Sequence, residues 1–317
     1  MSTTRVRRLT AAILLLAALA LGAVALSACG SGSDTASTAA SPSAGPITVT
    51  DDTGATVTLD QPAQKVVSIA PADTEIAYAI GGGSKMVGGT TYDDYPEEAK
   101  SLAKVGDFSN PSVEKIVALE PDLVLAAGGI QAGLRSKLEK LGMQVFVVDP
   151  TTYDGVMDDI TQLGELMGLE ANAAKVVEDM TTAKEEVQAR VASLDRPATF
   201  IEVYSKPLMT AGSKTFIDDL VTLAGGRNIG AQAGTGFPNF SSEVLVKDDP
   251  AVYVAMSGSQ SAPGAIAKRP GYSGLAAVKD GKVYVVEDNL IARPGPRLAQ
   301  GLEQLAAMIH PEASPAP

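Results

Sequence analysis

One cysteine, one histidine and no tryptophan occur in 317 residues, and aromatic residues make up only 4%. A single cysteine excludes an intrachain disulfide. The single histidine, His310, lies near the C-terminus, which excludes a His-rich metal site and argues against Ser-His-Asp or Cys-His catalysis. Ser68, Ser205 and Ser257 have no histidine within reach by sequence, so an envelope hydrolase would lack its base and the chain is expected not to be an enzyme. Positive charge is also scarce: 25 Lys and Arg stand against 37 Asp and Glu, a net charge of −12. Such a chain is repelled by polyanions, which sets aside nucleic acid as a partner. What the chain does have is 45% apolar residues, over a length sufficient for one or two globular cores.

Arg5, Arg7 and Arg8 precede an apolar run from Leu14 to Leu26 broken only by Gly22, the layout of a secretory signal peptide. The run ends in Leu26-Ser27-Ala28-Cys29, which resembles the bacterial lipobox, where cleavage leaves the cysteine as a lipidated N-terminus. Cys29 is therefore expected to be a membrane anchor, its acyl chains contributing about 0.8 kcal/mol per buried CH₂ at the outer face of the cell membrane. The Ser, Gly, Thr, Ala and Pro residues that follow form a tether. The expected organisation is a signal peptide over 1–28, lipidated Cys29 and tether over 29–45, an N-terminal α/β lobe over 46–168, a bridging helix over 169–196, a C-terminal α/β lobe over 197–312, and a tail over 313–317.

The bridging helix is the most regular element. From Ala171 to Leu194 apolar residues recur at Val176, Met180, Ala183, Val187, Val191 and Leu194, with charged residues between them and no Gly or Pro inside. Before it the pattern predicts a hairpin (47–50 and 56–59), strands at 66–70, 86–89, 123–126 and 145–149, and helices at 73–80 and 131–141. A further helix ending near Leu119 is expected to open at Asn110-Pro111 as N-cap and N1. Beyond Pro197 come strands at 199–204, 252–256 and 283–287 and helices at 215–224 and 297–309. Gly81-Gly82-Gly83 follows a helix and accompanies no phosphate-binding motif, so it reads as a helix stop. Alternating strands and helices predict an α/β fold of two Rossmann-like lobes, each with a mostly parallel central sheet, joined by one long helix, with a ligand cleft between them.

The two lobes repeat one another. At a shift of 129, Phe108 falls on Phe237, Asn110 on Asn239, Ser112 on Ser241, Glu114 on Glu243, Ile116 on Leu245 and Pro121 on Pro250. Glu114 and Glu243 both fall in the first turn of a helix. The helix dipole alone favours an acid there, and a two-fold partner offering arginines would favour the pair. Phe108 and Phe237 lie six residues earlier, either packed in the core or facing one another across the cleft.

Four stretches together resemble one family, the class III periplasmic-binding proteins with a helical backbone, which serve importers of cobalamin, ferric siderophores and haem. They are Val66 to Glu75, Tyr92 to Ala99, Val113 to Val124, and Arg293-Pro294-Gly295-Pro296-Arg297. The resemblance implies a monomeric, lipid-anchored extracytoplasmic substrate-binding protein that delivers its ligand to an ABC importer. It implies that Glu114 and Glu243 dock on the permease dimer. The second and fourth stretches are most similar to cobalamin-binding members. Their pocket falls on Tyr92, Phe108, Met209, Phe237 and Arg293, with Asn289 where an acid is expected; Tyr204 and Phe240 join them as candidate contacts. Four positions that are Trp in a typical cobalamin binder are Phe108, Ala127, Phe237 and Leu290 here. Cobalamin is the expected ligand, a ferric siderophore or haem the alternative, with no catalytic cofactor and no resident metal. Tyr92, Tyr95 or Tyr204 would have to ligate a haem, and Arg293, with Arg269, Lys206 and Arg297, would have to balance an anionic siderophore. A structural lipoprotein that kept the scaffold without a ligand would show no exposed aromatics at the cleft.

Overall fold

The structure, a computed structural model, describes residues 45–313. The expected signal peptide, Cys29 and nearly all of the tether lie outside the described residues. The chain opens with an antiparallel hairpin, β1 (Ile47–Thr50) and β2 (Thr56–Leu59). Its turn is held by Asp51, whose carboxylate accepts the backbone N–H groups of Thr53 and Ala55 and pairs with Arg135 at 2.5 Å.

The N-terminal lobe then runs β3 (Val66–Ser68), α1 (Pro71–Ala79), β4 (Met86–Gly89), β5 (Ala103–Lys104), α2 (Val113–Ala118), β6 (Leu123–Ala127), α3 (Ala132–Glu139) and β7 (Val145–Val148). Its strands form a parallel sheet in the order β5-β4-β3-β6-β7. Two helices follow, α4 (Tyr153–Met167) and α5 (Glu170–Val191). The C-terminal lobe comprises β8 (Ala198–Ser205), β9 (Leu208–Thr210), α6 (Phe216–Leu223), β10 (Arg227–Asn228), α7 (Ser242–Asp248), β11 (Val252–Met256), α8 (Pro263–Ile266), α9 (Ala276–Lys279), β12 (Val283–Val286), α10 (Asp288–Ile291) and α11 (Leu298–Ile309). Its sheet is β10-β8-β11-β12, all parallel, with β9 antiparallel on β8. β3, β7 and β11 are buried throughout because helices cover both faces, which is why they read as unbroken apolar runs.

The expected long bridging helix is α5; the helix before it, α4, is absent from the predicted elements and packs against it as a helical hairpin. Val156, Ile160, Leu163 and Met167 form its buried stripe, Thr152 caps its start by accepting the Gly155 N–H, and Gly168 at φ 65° ends it. The two helices pack closely enough that a Cβ on Gly164 would lie 2.5 Å from that of Ala173. α5 stops at Val191, three residues short of Leu194, and spans roughly 33 Å at 1.5 Å per residue. Met180, Val187 and Val191 are buried as the stripe requires, and Ala173 joins them.

One continuous apolar cluster runs from Ile76, Leu123 and Phe146, through Ile160, Met180 and Val187, to Ile217, Leu302 and Leu305. The bridge is therefore part of a core shared by both lobes. Polar ties reinforce it: Asn172 Nδ2 donates to the Ile80 carbonyl at the end of α1, and the Tyr153 N–H donates to Asp219 on α6 at 2.8 Å.

Candidate ligand cleft and docking surface

In open α/β sheets the space for a ligand lies beyond the C-terminal ends of the parallel strands. Four of the eight expected contact residues lie at those ends. Tyr92 follows β4, Phe108 follows β5, Tyr204 closes β8 and Asn289 follows β12. Met209 sits on β9 and is bridged to Asn239, two residues beyond Phe237. Tyr92, Tyr204 and Phe237 are exposed by 58%, 48% and 45%, well above the usual burial of aromatic side chains. Phe108, Met209 and Asn289 are half-buried. Phe240 is a correction: it is 7% exposed and its ring meets Phe200 edge-on at 5.0 Å, so it belongs to the C-terminal lobe's core.

Two residues at this edge are absent from the sequence reading. Ile130, in a single helical turn just after β6, is 65% exposed. Gln131 beside it is buried, and its amide joins three segments. Nε2 donates to the Ile69 carbonyl at 2.7 Å and the Phe108 carbonyl at 2.8 Å, while Oε1 accepts the Ala127 N–H at 2.8 Å. A polar side chain four residues beyond an apolar strand, after Gly128-Gly129, is the one signal that could have marked it. Asn110-Pro111 is not the cap of α2. Ser112 takes that place, accepting the Lys115 N–H, because Pro111 still lies in an antiparallel bridge with Gly106.

Arg293 meets two carboxylates of the opposite lobe, Glu75 Oε1 at 2.8 Å and Asp94 Oδ1 at 2.6 Å. Arg297 forks onto the same Glu75, Nε to Oε2 at 2.8 Å and Nη2 to Oε1 at 2.7 Å, and stacks 4.1 Å over the Tyr95 ring. Glu75 on α1 is buried, so both arginine charges are spent on joining the lobes. Desolvation works against the Asp94 carboxylate, yet the hydrogen bond and charge of Arg293 hold it below the ordinary carboxylate range. Neither arginine is a free cation for an anionic ligand.

Beneath the N-terminal lobe's edge lies a group of acids. Asp159 on α4 and Asp73 on α1 are each 1% exposed, and among the described residues neither Asp159 oxygen has a hydrogen-bond partner. Desolvation, then the charges of Asp52 and Asp73, pushes Asp159 up to about 9. Asp73 is driven well above its ordinary value chiefly by burial. Among the described residues no group of three His, Cys, Asp or Glu is placed to hold a metal ion.

On the outer face, α2 and α7 are built alike. Ser112 and Ser241 cap them, Ile116 and Leu245 are their fully buried anchors, and Glu114 and Glu243 stand exposed in their first turns. One turn on, Val117 and Val246 are each 38% exposed, so each glutamate sits beside a solvent-facing valine at the same step of the repeat. Among the described residues no helix is long and apolar enough to cross a membrane.

Two lobes joined by a helical bridge, with strand ends turned toward a common edge, define a class of two-lobed binding proteins. Residues 66–290 match the periplasmic binding protein family, and the chain belongs to it. It is 36% identical over 306 residues to YvrC of Bacillus subtilis (strain 168), described as an uncharacterized ABC transporter substrate-binding lipoprotein, covering 93% of this chain and 96% of that one. It is also 36% identical over 202 residues to the vitamin B12-binding protein of Yersinia pestis (strain Pestoides F), covering 63% of this chain and 72% of the relative. Among solved structures, the periplasmic vitamin B12 binding protein BtuF of Vibrio cholerae superposes with a TM-score of 0.73 at 29% identity, over 80% of this chain and 98% of the other. The chain is an ABC transporter substrate-binding protein.

Proposed function

We propose that this protein is a lipid-anchored, extracytoplasmic substrate-binding protein that captures a corrinoid in the cleft and hands it to its permease. The observation that carries this is the set of exposed aromatics, Tyr92 after β4 of one lobe, and Tyr204 on β8 and Phe237 in the loop before α7 of the other. Broad apolar faces at the mouth of a cleft suit a large, partly apolar ring system. The similarity to two vitamin B12-binding proteins favours a corrinoid among such ligands. Phe108, Met209, Asn289 and Ile130 complete the contact edge, with Gln131 holding the Phe108 loop in place and Arg293 bracing the cleft.

Cys29 carries the acyl anchor, and one glutamate per lobe docks the loaded, monomeric protein on a two-fold permease. Native mass spectrometry of the full chain with cyanocobalamin, hemin and a panel of ferric siderophores tests the assignment. A one-to-one complex with cyanocobalamin alone supports it, and a complex only with hemin or a siderophore replaces it.

A further inference from the structure

We infer that the C-terminal lobe carries an oxyanion subsite at the cleft edge, built by Lys206, Ser259 and Gln260 around a fixed Arg269. A cavity of about 520 Å³ lies at the C-terminal ends of β8 and β11, lined by Tyr204, Lys206, Ser259, Gln260, Ser261 and Arg269. Its lining is unusually rich in donors and has no carboxylate of its own.

Three features make it more than a surface dent. Ser259 is 3% exposed, and among the described residues its hydroxyl has no hydrogen-bond partner. A buried polar group without a partner costs about 1–3 kcal/mol, so it calls for a ligand that accepts from it. Gln260 is held at φ 55°, a left-handed conformation that ends the turn of Ser257 to Ser259 at the cavity wall. Arg269 is locked in place. Its Nη1 and Nη2 reach Glu202 at 2.5 and 3.1 Å, Nη2 also donates to Ser261 at 2.7 Å, and the Tyr253 hydroxyl donates to the same buried Glu202.

The donor groups point to the ligand class. Glu202 cancels Arg269, and Asp288, the other carboxylate beside this loop, accepts the Ser257 hydroxyl at 2.5 Å. Lys206 is exposed and has no ion-pair partner among the described residues, so it offers a cation that balances Asp288 and leaves the cavity wall without net negative charge. One ammonium, a hydroxyl and an amide around one cavity match a compact oxyanion, either a phosphate ester or a carboxylate. If the cleft holds a corrinoid, the phosphodiester of its nucleotide loop is the group of that chemistry; this part rests on the function proposed above. A free inorganic oxyanion is the other source.

The test uses the full chain, with Lys206→Glu and Ser259→Ala, which leave the Glu202–Arg269 pair intact. Inorganic phosphate is compared with chloride at equal ionic strength by thermal unfolding. We expect a saturable stabilisation of the wild type that both variants lose; no phosphate effect, or an equal one in wild type and Lys206→Glu, overturns the subsite. Cyanocobalamin and dicyanocobinamide, which lacks the nucleotide loop, are then titrated separately. We expect dicyanocobinamide to bind roughly tenfold or more weakly, and the difference to vanish in Lys206→Glu. Phosphate binding with equal corrinoid affinities assigns the subsite to a free oxyanion. Phosphate binding with no corrinoid binding keeps the subsite and sinks the corrinoid assignment.

Discussion

Glu75 on α1 and Arg297 at the start of α11 form a two-point ion pair across the lobes, with N–O distances of 2.8 and 2.7 Å. The same carboxylate also holds Arg293, so one buried acid fixes two arginines of the opposite lobe. Glu75→Ala strands Arg297 and leaves Arg293 only the half-exposed Asp94. Breaking a buried pair from one side costs about 3–5 kcal/mol, so we expect a loss of that order in urea unfolding. A change below about 1 kcal/mol, the level of an exposed pair, would show that the cluster does not brace the lobes.

The core shared through α4 and α5 predicts small lobe motion. Closing the cleft like a clamshell would open the cluster that runs from Ile76 through Met180 to Leu302. Small-angle scattering of the free protein and of the protein saturated with cyanocobalamin should give nearly superimposable profiles, consistent with a few degrees of rotation. A marked drop in radius of gyration on binding contradicts the rigid bridge.

Glu114 and Glu243 are exposed in the first turns of α2 and α7, six residues beyond Phe108 and Phe237. Reversing both to Lys should leave cyanocobalamin affinity unchanged and abolish uptake, since two favourable pairs with arginines become two repulsions. Uptake by cells expressing the double variant checks this; transport at the wild-type rate would remove the glutamates from the docking surface.

Asp159 gives stability a pH dependence of known sign. Below its ordinary value of 3.8 the carboxyl is protonated in both folded and unfolded chains, and nothing is lost. Between there and about 9 only the unfolded chain ionises, so stability falls as pH rises, by up to about 1.4 kcal/mol per unit. Asp159→Asn removes this contribution. It should be more stable than the wild type at pH 8 and close to it at pH 4, by chemical unfolding at both; parallel pH profiles would show that Asp159 is ionised in the folded chain.

Much of the fold is legible in the sequence because its signals are local. Fully buried strands such as Val145 to Val148 read as apolar runs, and the α5 stripe reads by period. The helix α4 has an equally regular stripe at Val156, Ile160, Leu163 and Met167, so it too is legible by period. The site is less legible because its meaning is non-local. Phe237 and Phe240 are three residues apart and alike in chemistry, yet one is exposed and the other packs on Phe200, a choice made by β8. Arg293 reads as a ligand group from its motif, whereas Glu75, 218 residues away, determines that it braces the lobes. The cavity at Lys206 and Ser259 exists only once β8 and β11 are paired.

We propose that the aromatics on the two lobes grip a corrinoid from opposite sides. Calorimetric titration of cyanocobalamin into the wild-type chain and into the double variant Tyr92→Ala, Phe237→Ala tests it most directly. We predict saturable one-to-one binding by the wild type. The double variant should be weaker by at least about 100-fold, from a loss of roughly 1.5–3 kcal/mol for each aromatic face. Absence of binding to the wild type, or equal affinity of wild type and double variant, would contradict the account.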